Sequence, residues 1–157
     1  MEIKDRRVVV TGAASGIGKA LCIAFKESGA KSIVCVDMNI EGAIETADLV
    51  KGIAVSADVS KESDIINVID KANDLSGGID IFCSNAGIGG NPGFFESDTA
   101  DWNHIWGVNV QSHIYAAKHV LPQMMERGEG YLVNTTSAAG LLTQLGAAGY
   151  SVPKAAA

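Results

Sequence analysis

Val8-Val9-Val10-Thr11-Gly12-Ala13-Ala14-Ser15-Gly16-Ile17-Gly18 is the stretch whose reading decides the fold. Three successive valines suit a strand covered on both faces, where the usual alternation disappears. Gly12, Gly16 and Gly18 then remove Cβ atoms where the chain must turn tightly and where another backbone or a ligand comes close. A helix that follows such a turn has its first N–H groups unpaired and its positive dipole end aimed back at the turn. A pyrophosphate is well placed there. The spacing is G-x-x-x-G-x-G, which differs from the G-x-G-x-x-G dinucleotide fingerprint. Alone, it is equally the pattern of an ordinary strand-to-helix turn.

Outward from this turn, strand and helix patterns alternate. A helix is predicted over 17–28, with Ile17, Leu21, Ala24 and Phe25 on one face and Gly29 at its stop. Residues 32–37 read as a second buried strand ending in Asp37, 19 residues after Gly18. That is where a dinucleotide fold places an acid for the adenosine ribose hydroxyls. A helix over 41–50 and a short strand over 52–57, ending in Asp58, come next. A helix over 61–75 presents Ile65, Val68, Ile69 and Ala72 as its inner stripe, and a fourth strand over 79–83 runs into Ser84-Asn85-Ala86-Gly87. Beyond a Gly/Pro-rich loop over 87–93, a long helical region over 99–127 repeats Val110, Ile114, Ala117 and Leu121 on one apolar face. A fifth strand over 131–135 is followed by small-residue loops to Gly149, and helical propensity resumes at Tyr150. Such alternation requires parallel pairing through right-handed crossovers. The expected fold class is therefore α/β: a doubly wound, Rossmann-type parallel sheet of order 3-2-1-4-5 with helices on both faces, in one domain over 1–157.

Composition narrows the function classes. An apolar fraction of 47% and a charged fraction of 19% are those of a compact chain with a core, not of a disordered one. A net charge of −6, with no Lys/Arg cluster, argues against nucleic acid as a partner. Lys4, Arg6 and Arg7 are interrupted by Asp5 and read as a solvated entry to the first strand. Cys22, Cys35 and Cys83 are odd in number, widely separated and set in apolar sequence, so they read as core thiols of a reducing compartment. No apolar run reaches membrane-spanning length, the start does not resemble a signal peptide, and a cytoplasmic location is the expectation. His104, His113 and His119 share no metal-ligand spacing, and surface or packing roles are expected of them. Trp102 and Trp106 form a helical pair suited to core or subunit contact.

Three stretches taken together resemble the short-chain dehydrogenase/reductase family. Thr11-Gly12-x-x-x-Gly16-x-Gly18 resembles its cofactor loop, Asn85-Ala86-Gly87 its strand-four motif, and Ser137 followed by Tyr150-x-x-x-Lys154 its catalytic set. Asn109, on the long helical region, falls where the family keeps a fourth catalytic residue. The resemblance implies an NAD-dependent oxidoreductase that moves a hydride between NAD(H) and a small-molecule secondary alcohol or ketone. Tyr150 would take the alcohol proton, Ser137 would hydrogen-bond the same oxygen, Lys154 would support the phenolate and hold the nicotinamide ribose, and Asn109 would position a water leading to solvent. Tyr and Lys four apart lie on one helix face, so an ammonium can sit close to the phenol, and a cation in a partly dry site favours a phenolate. Read without the resemblance, Ser137 after Thr135 and Thr136 could simply satisfy loop backbone, and Asn109 could hydrogen-bond a neighbouring main chain. The cofactor residues implied are Gly12, Ser15, Gly16, Ile17, Gly18, Asp37, Asp58, Val59, Asn85, Ala86 and Gly87, with Tyr150 and Lys154; no metal is implied.

Asp37 favours NAD over NADP, because it would repel a 2′-phosphate, and neither Ser15 nor Met38-Asn39 supplies a base to attract one. The pocket lining within 88–95 and 138–149 is small or apolar and excludes only highly charged substrates. The apolar face of 99–127 is the expected contact of a homodimer or homotetramer. Two features lead to the expectation that these 157 residues are part of a longer enzyme lacking its C-terminal strands here. A doubly wound dinucleotide fold has six strands where five are found, and the family continues past the Lys154 helix. Alone, the chain is expected to bind NAD weakly and to turn over no substrate. The alternative kept open is a non-catalytic dinucleotide-binding module or inactive fragment.

Overall fold

Val8, Val9 and Val10 form the middle of β1 (Arg7–Thr11) and are buried on both faces in the computed structural model, which describes residues 2–89, 97–142 and 146–157. On one side β1 pairs with β2 (Ser32–Asp37), Val9 opposite Val34; on the other it pairs with β4 (Ile81–Ser84), Val9 opposite Phe82. β3 (Ile53–Ser56) lies outside β2, and β5 (Tyr131–Asn134) lies outside β4. All four pairings are parallel and the order is β3-β2-β1-β4-β5, as the sequence pattern requires.

The two faces of the sheet carry separate apolar layers. Val9, Val34, Val36 and Phe82 pack under α3 (Glu62–Ser76) and α5 (Ser112–Arg127), whose contributions are Ile65, Val68, Ile69, Ala72, Ala116, Val120 and Met124. Val8, Val10, Ile33, Cys35, Ile81 and Cys83 pack under α1 (Gly16–Glu27) and α2 (Ile40–Val50), through Cys22, Phe25, Ala47 and Val50. The three cysteines are free and buried, with the Cys22 and Cys35 sulfurs 3.6 Å apart. At the rim opposite the site, the Arg7 guanidinium makes a paired contact with Asp80, at 2.8 and 2.6 Å, and Arg6 does the same with Glu129.

The region predicted as helical over 99–127 is helical but not uniform. α4 (Thr99–Trp106), opened by a capping box between Asp98 and Asp101, passes through a π-helical turn at Gly107–Gln111 into α5. A wider turn rotates everything after it relative to everything before it. The stripe Val110, Ile114, Ala117, Leu121 therefore does not stay on one face: Val110 is buried, while Ile114 and Leu121 face solvent. The side that covers the sheet is Ala116, Val120 and Met124. α6 (Ala148–Ala156) starts two residues ahead of Tyr150, where helical propensity resumes in the sequence, and carries Pro153 in its second turn. Of the predicted loop over 87–93 and the pocket lining over 88–95 and 138–149, residues 90–95 and 143–145 lie outside the described residues. Among the described residues no helix is long and apolar enough to cross a membrane.

Candidate active site

The C-terminal ends of β1, β2, β4 and β5 open onto one cleft of about 620 Å³. Every residue expected to hold the cofactor lines it, and so do Ser137, Tyr150 and Lys154. Asn109 does not: it lies behind the wall, fully buried.

The glycine turn forms the floor. Gly12 and Gly16 have φ of +71° and +51°, in the left-handed region. A Cβ on Gly18 would stand 1.9 Å from the Gly12 carbonyl oxygen, and a Cβ on Gly12 would stand 2.9 Å from the Ala86 Cα. Gly18 thus lets α1 begin directly against the turn, and Gly12 lets the turn pack on the loop after β4. A Cβ on Gly16 would meet nothing within 4 Å, so that side is open. Ser15 precedes α1 in an extended conformation and its side chain makes no capping bond. The first N–H groups of α1 are therefore left for an anion, with the dipole favouring one. An open, glycine-walled helix N-terminus of this kind fits a dinucleotide pyrophosphate.

Hydroxyl and amide groups brace the floor to the walls. The Thr11 hydroxyl accepts from the backbone N–H groups of Asn85 and Ala86, both at 3.0 Å. The Asn85 amide donates to the Thr11 carbonyl at 3.0 Å and accepts from the Thr135 hydroxyl at 2.9 Å. Asn85 therefore ties together the ends of β1, β4 and β5. This bracing, and the presence of Thr135 in the cleft, were not read from the sequence; a threonine at the end of each of two strands was the available signal.

Asp37 ends β2 with both carboxylate oxygens already holding backbone, one accepting from Ala14 N–H and the other from Asn39 N–H, each at 3.0 Å. A carboxylate has about four acceptor positions, so each oxygen keeps one for a ribose hydroxyl. Asp58 accepts from the Ser60 hydroxyl at 2.6 Å and pairs with Lys61 at 3.2 Å. Burial raises its carboxyl, but the bonds from Ser60 and the Lys61 charge outweigh that and bring it below the ordinary carboxylate range. It is a fixed anion beside Val59.

At the other end of the cleft, the Ser137 oxygen accepts from Ala139 N–H at 3.2 Å, capping the short 3₁₀ turn Ala138–Gly140. Its own proton has no acceptor among the described residues. The Lys154 ammonium is buried, donates to the Thr135 carbonyl at 3.0 Å and lies 5.9 Å from the centroid of the Tyr150 ring. The Asn109 side chain bonds to the loop after β4: Oδ1 accepts from Ile88 N–H at 3.0 Å and Nδ2 donates to the Ile88 carbonyl at 2.9 Å. These two bonds pin the loop after β4 and leave one amide N–H and one Oδ1 lone pair of Asn109 over.

A sequence model of the short chain dehydrogenase family matches residues 6–157. The chain belongs to that family. An uncharacterized oxidoreductase of Thermotoga maritima is 34% identical over 99% of this chain, and 3beta-hydroxysteroid dehydrogenase 2 of Eggerthella lenta is 36% identical over 97%. The crystal structure of a short chain dehydrogenase/reductase from Burkholderia phymatum in complex with NAD superposes with a TM-score of 0.95, at 30% identity over 99% of this chain. The chain spans 63%, 61% and 57% of those three proteins.

The three histidines of this chain fall in three different settings. His104 is exposed at the cleft wall, and His119 bonds to Glu62 at 2.7 Å between α5 and α3. His113 is buried, and neither ring nitrogen has a partner among the described residues. Burial, reinforced by the Lys154 charge, pushes its imidazole down to about 4. Leaving such a group unsatisfied costs about 1–3 kcal/mol.

Proposed function

We propose that this chain carries the cofactor site and the catalytic groups of an NAD-dependent dehydrogenase/reductase acting on a secondary alcohol or its ketone. The observation that carries the reading is that Ser137, Tyr150 and Lys154 line the same cleft as the glycine turn and Asp37, with Lys154 buried beside the Tyr150 ring. A bound nicotinamide dinucleotide would supply the hydride acceptor or donor. The rest falls to the chain's own groups. The Ser137 hydroxyl, whose oxygen is fixed by Ala139, donates to the substrate oxygen. Tyr150 takes the alcohol proton in oxidation and returns it in reduction. Lys154, held by the Thr135 carbonyl, favours the phenolate by its charge. Asn109 acts by fixing Ile88 and so the wall of the site. The apolar pair Ile114 and Leu121, exposed on the outer side of α5, is the contact proposed for a homodimer or homotetramer.

Asp37 supports NAD rather than NADP as the cofactor. A 2′-phosphate placed against it is repelled by on the order of 1–4 kcal/mol, one to three decades in affinity. Calorimetry should find NADH binding at least tenfold tighter than NADPH, and equal affinities would refute the assignment. Tyr150→Phe should leave NADH binding intact and abolish alcohol oxidation by the enzyme that contains this chain. If wild type binds NADH but turns over no secondary alcohol, the second reading stands: a non-catalytic dinucleotide-binding module.

A further inference from the structure

We propose that Asp64 is a positioning residue for the adenine half of the cofactor: its carboxylate holds Asp58 and Val59 as a fixed acceptor and donor that read the base. This rests on the NAD reading above, and adds a residue that neither the motifs nor the cleft lining includes.

The sheet fixes where the base end of the cleft lies. Asp37 ends β2, at the place of an acid for the adenosine ribose. β3 runs alongside, and just past its end the Ala57 N–H donates to the Asp37 carbonyl at 3.2 Å. Asp58 and Val59 come next in the chain, and both line the cleft. Val59 is 7% exposed, yet its backbone N–H and carbonyl have no partner among the described residues. Buried main-chain donors are almost always paired, so this one is open to a ligand. Asp58 supplies the complementary group. Its carboxylate has about four acceptor positions. Oδ1 fills two of them with the Ser60 N–H at 3.1 Å and the Ser60 hydroxyl at 2.6 Å, and Oδ2 fills one with Lys61 at 3.2 Å. One position on Oδ2 remains. Adenine carries an amino donor beside a ring-nitrogen acceptor, which matches a free carboxylate position next to a free N–H.

Such a pair discriminates only if it holds still, and Asp64 holds it. From the first turn of α3, Asp64 Oδ2 accepts from the Asp58 N–H at 2.9 Å. The Asp64 N–H donates to the Lys61 carbonyl at 3.1 Å, and the Lys61 N–H to the Asp58 carbonyl at 3.0 Å. The bonds thus close a ring from Asp58 through Lys61 to Asp64 and back. On the other side the π-helical turn presses on the same segment, because a Cβ on Gly107 would stand 3.0 Å from the Ser60 Cβ. Within this frame the Asp64 bond is the one that a side chain makes to the Asp58 main chain, so a substitution can remove it. Asp64 itself lies outside the cleft lining, so its loss reaches the cofactor through Asp58 and Val59.

The test is calorimetry on the enzyme that contains this chain, comparing NADH with its hypoxanthine analogue. In the analogue a carbonyl replaces the amino group and the neighbouring ring nitrogen carries a proton, so acceptor faces acceptor and donor faces donor. Wild type should prefer NADH by about tenfold or more. Asp64→Ala should weaken NADH about five- to tenfold, leave the analogue within about twofold of wild type, and so collapse the preference. Asp64→Asn, whose amide oxygen still accepts from the Asp58 N–H, should keep it. If Asp64→Ala does not fold, Asp64→Leu, close to asparagine in shape but without an acceptor, carries the same expectation. A merely structural role would lower the urea midpoint and weaken both dinucleotides alike. That result, an equal loss in Asp64→Asn, or a wild type that binds both dinucleotides equally overturns the proposal while the cofactor reading stands. A wild type that binds neither dinucleotide removes the cofactor reading, and the proposal with it.

Discussion

Gly16 and Gly18 sit two residues apart and will tolerate a methyl group very differently. At Gly16 the added Cβ enters open space, and only the left-handed φ of +51° opposes it, at roughly 1–2 kcal/mol. At Gly18 the Cβ would lie 1.9 Å from the Gly12 carbonyl oxygen, a backbone atom that cannot swing away. Gly18→Ala should therefore cost about 3 kcal/mol or more, because overpacking of this kind has to move main chain. Urea unfolding of the two variants checks the order, and the idea fails if Gly16→Ala proves the more damaging. His113 gives a pH signature at the same scale. Its folded-state pKa, about 4, lies below the unfolded value near 6.5. The unfolded chain therefore takes up a proton that the folded one refuses, and stability falls as pH drops from about 6.5 to 4, by on the order of 3 kcal/mol. His113→Leu should flatten that limb of a stability-against-pH curve measured by denaturant titration.

Among elements, the joint between β1, β4 and β5 depends on Asn85. Asn85→Ala leaves the Thr11 carbonyl and the Thr135 hydroxyl without partners and should cost about 1–3 kcal/mol, read as a lower urea midpoint with an unchanged m-value. Such side chains are also where sequence reading stopped short. The strands and most helix boundaries were legible because buried parallel strands are continuous apolar runs and amphipathic helices repeat at 3.6. The stripe on 99–127 was misread because nothing in the residue pattern announces a π-helical turn, and one wide turn is enough to exchange faces. Residue types marked the glycine turn, Asp37, Tyr150 and Lys154. They could not reveal that Asp37 already holds Ala14 and Asn39, or that Asn109 bonds to Ile88. Those facts depend on which groups the fold brings within about 3 Å, across separations of 23 residues for Ala14 and Asp37 and 21 for Asn109 and Ile88.

For the molecule as a whole, the ion pair at the rim opposite the cleft sets a second acid limit. Arg7 holds the Asp80 carboxyl below its ordinary range, against the opposing effect of burial. The stability this contributes is complete above the unfolded carboxylate value of about 4 and is lost as pH falls through the lower folded value. Asp80→Asn should remove about 2–3 kcal/mol at neutral pH, in the range of charge-assisted hydrogen bonds, and should lessen the dependence on pH below 4; equal acid sensitivity in mutant and wild type would contradict this. The same pair also sets a schedule. β1 is made before either strand that flanks it, β2 or β4, and β4 starts 74 residues later, with Arg7 and Asp80 73 apart. At about 5–20 residues per second, Val8, Val9 and Val10 wait roughly 4–15 s on the ribosome before their second neighbour exists. A nascent chain of this protein is thus a client for whatever holds apolar segments during translation, for a time set by strand order alone.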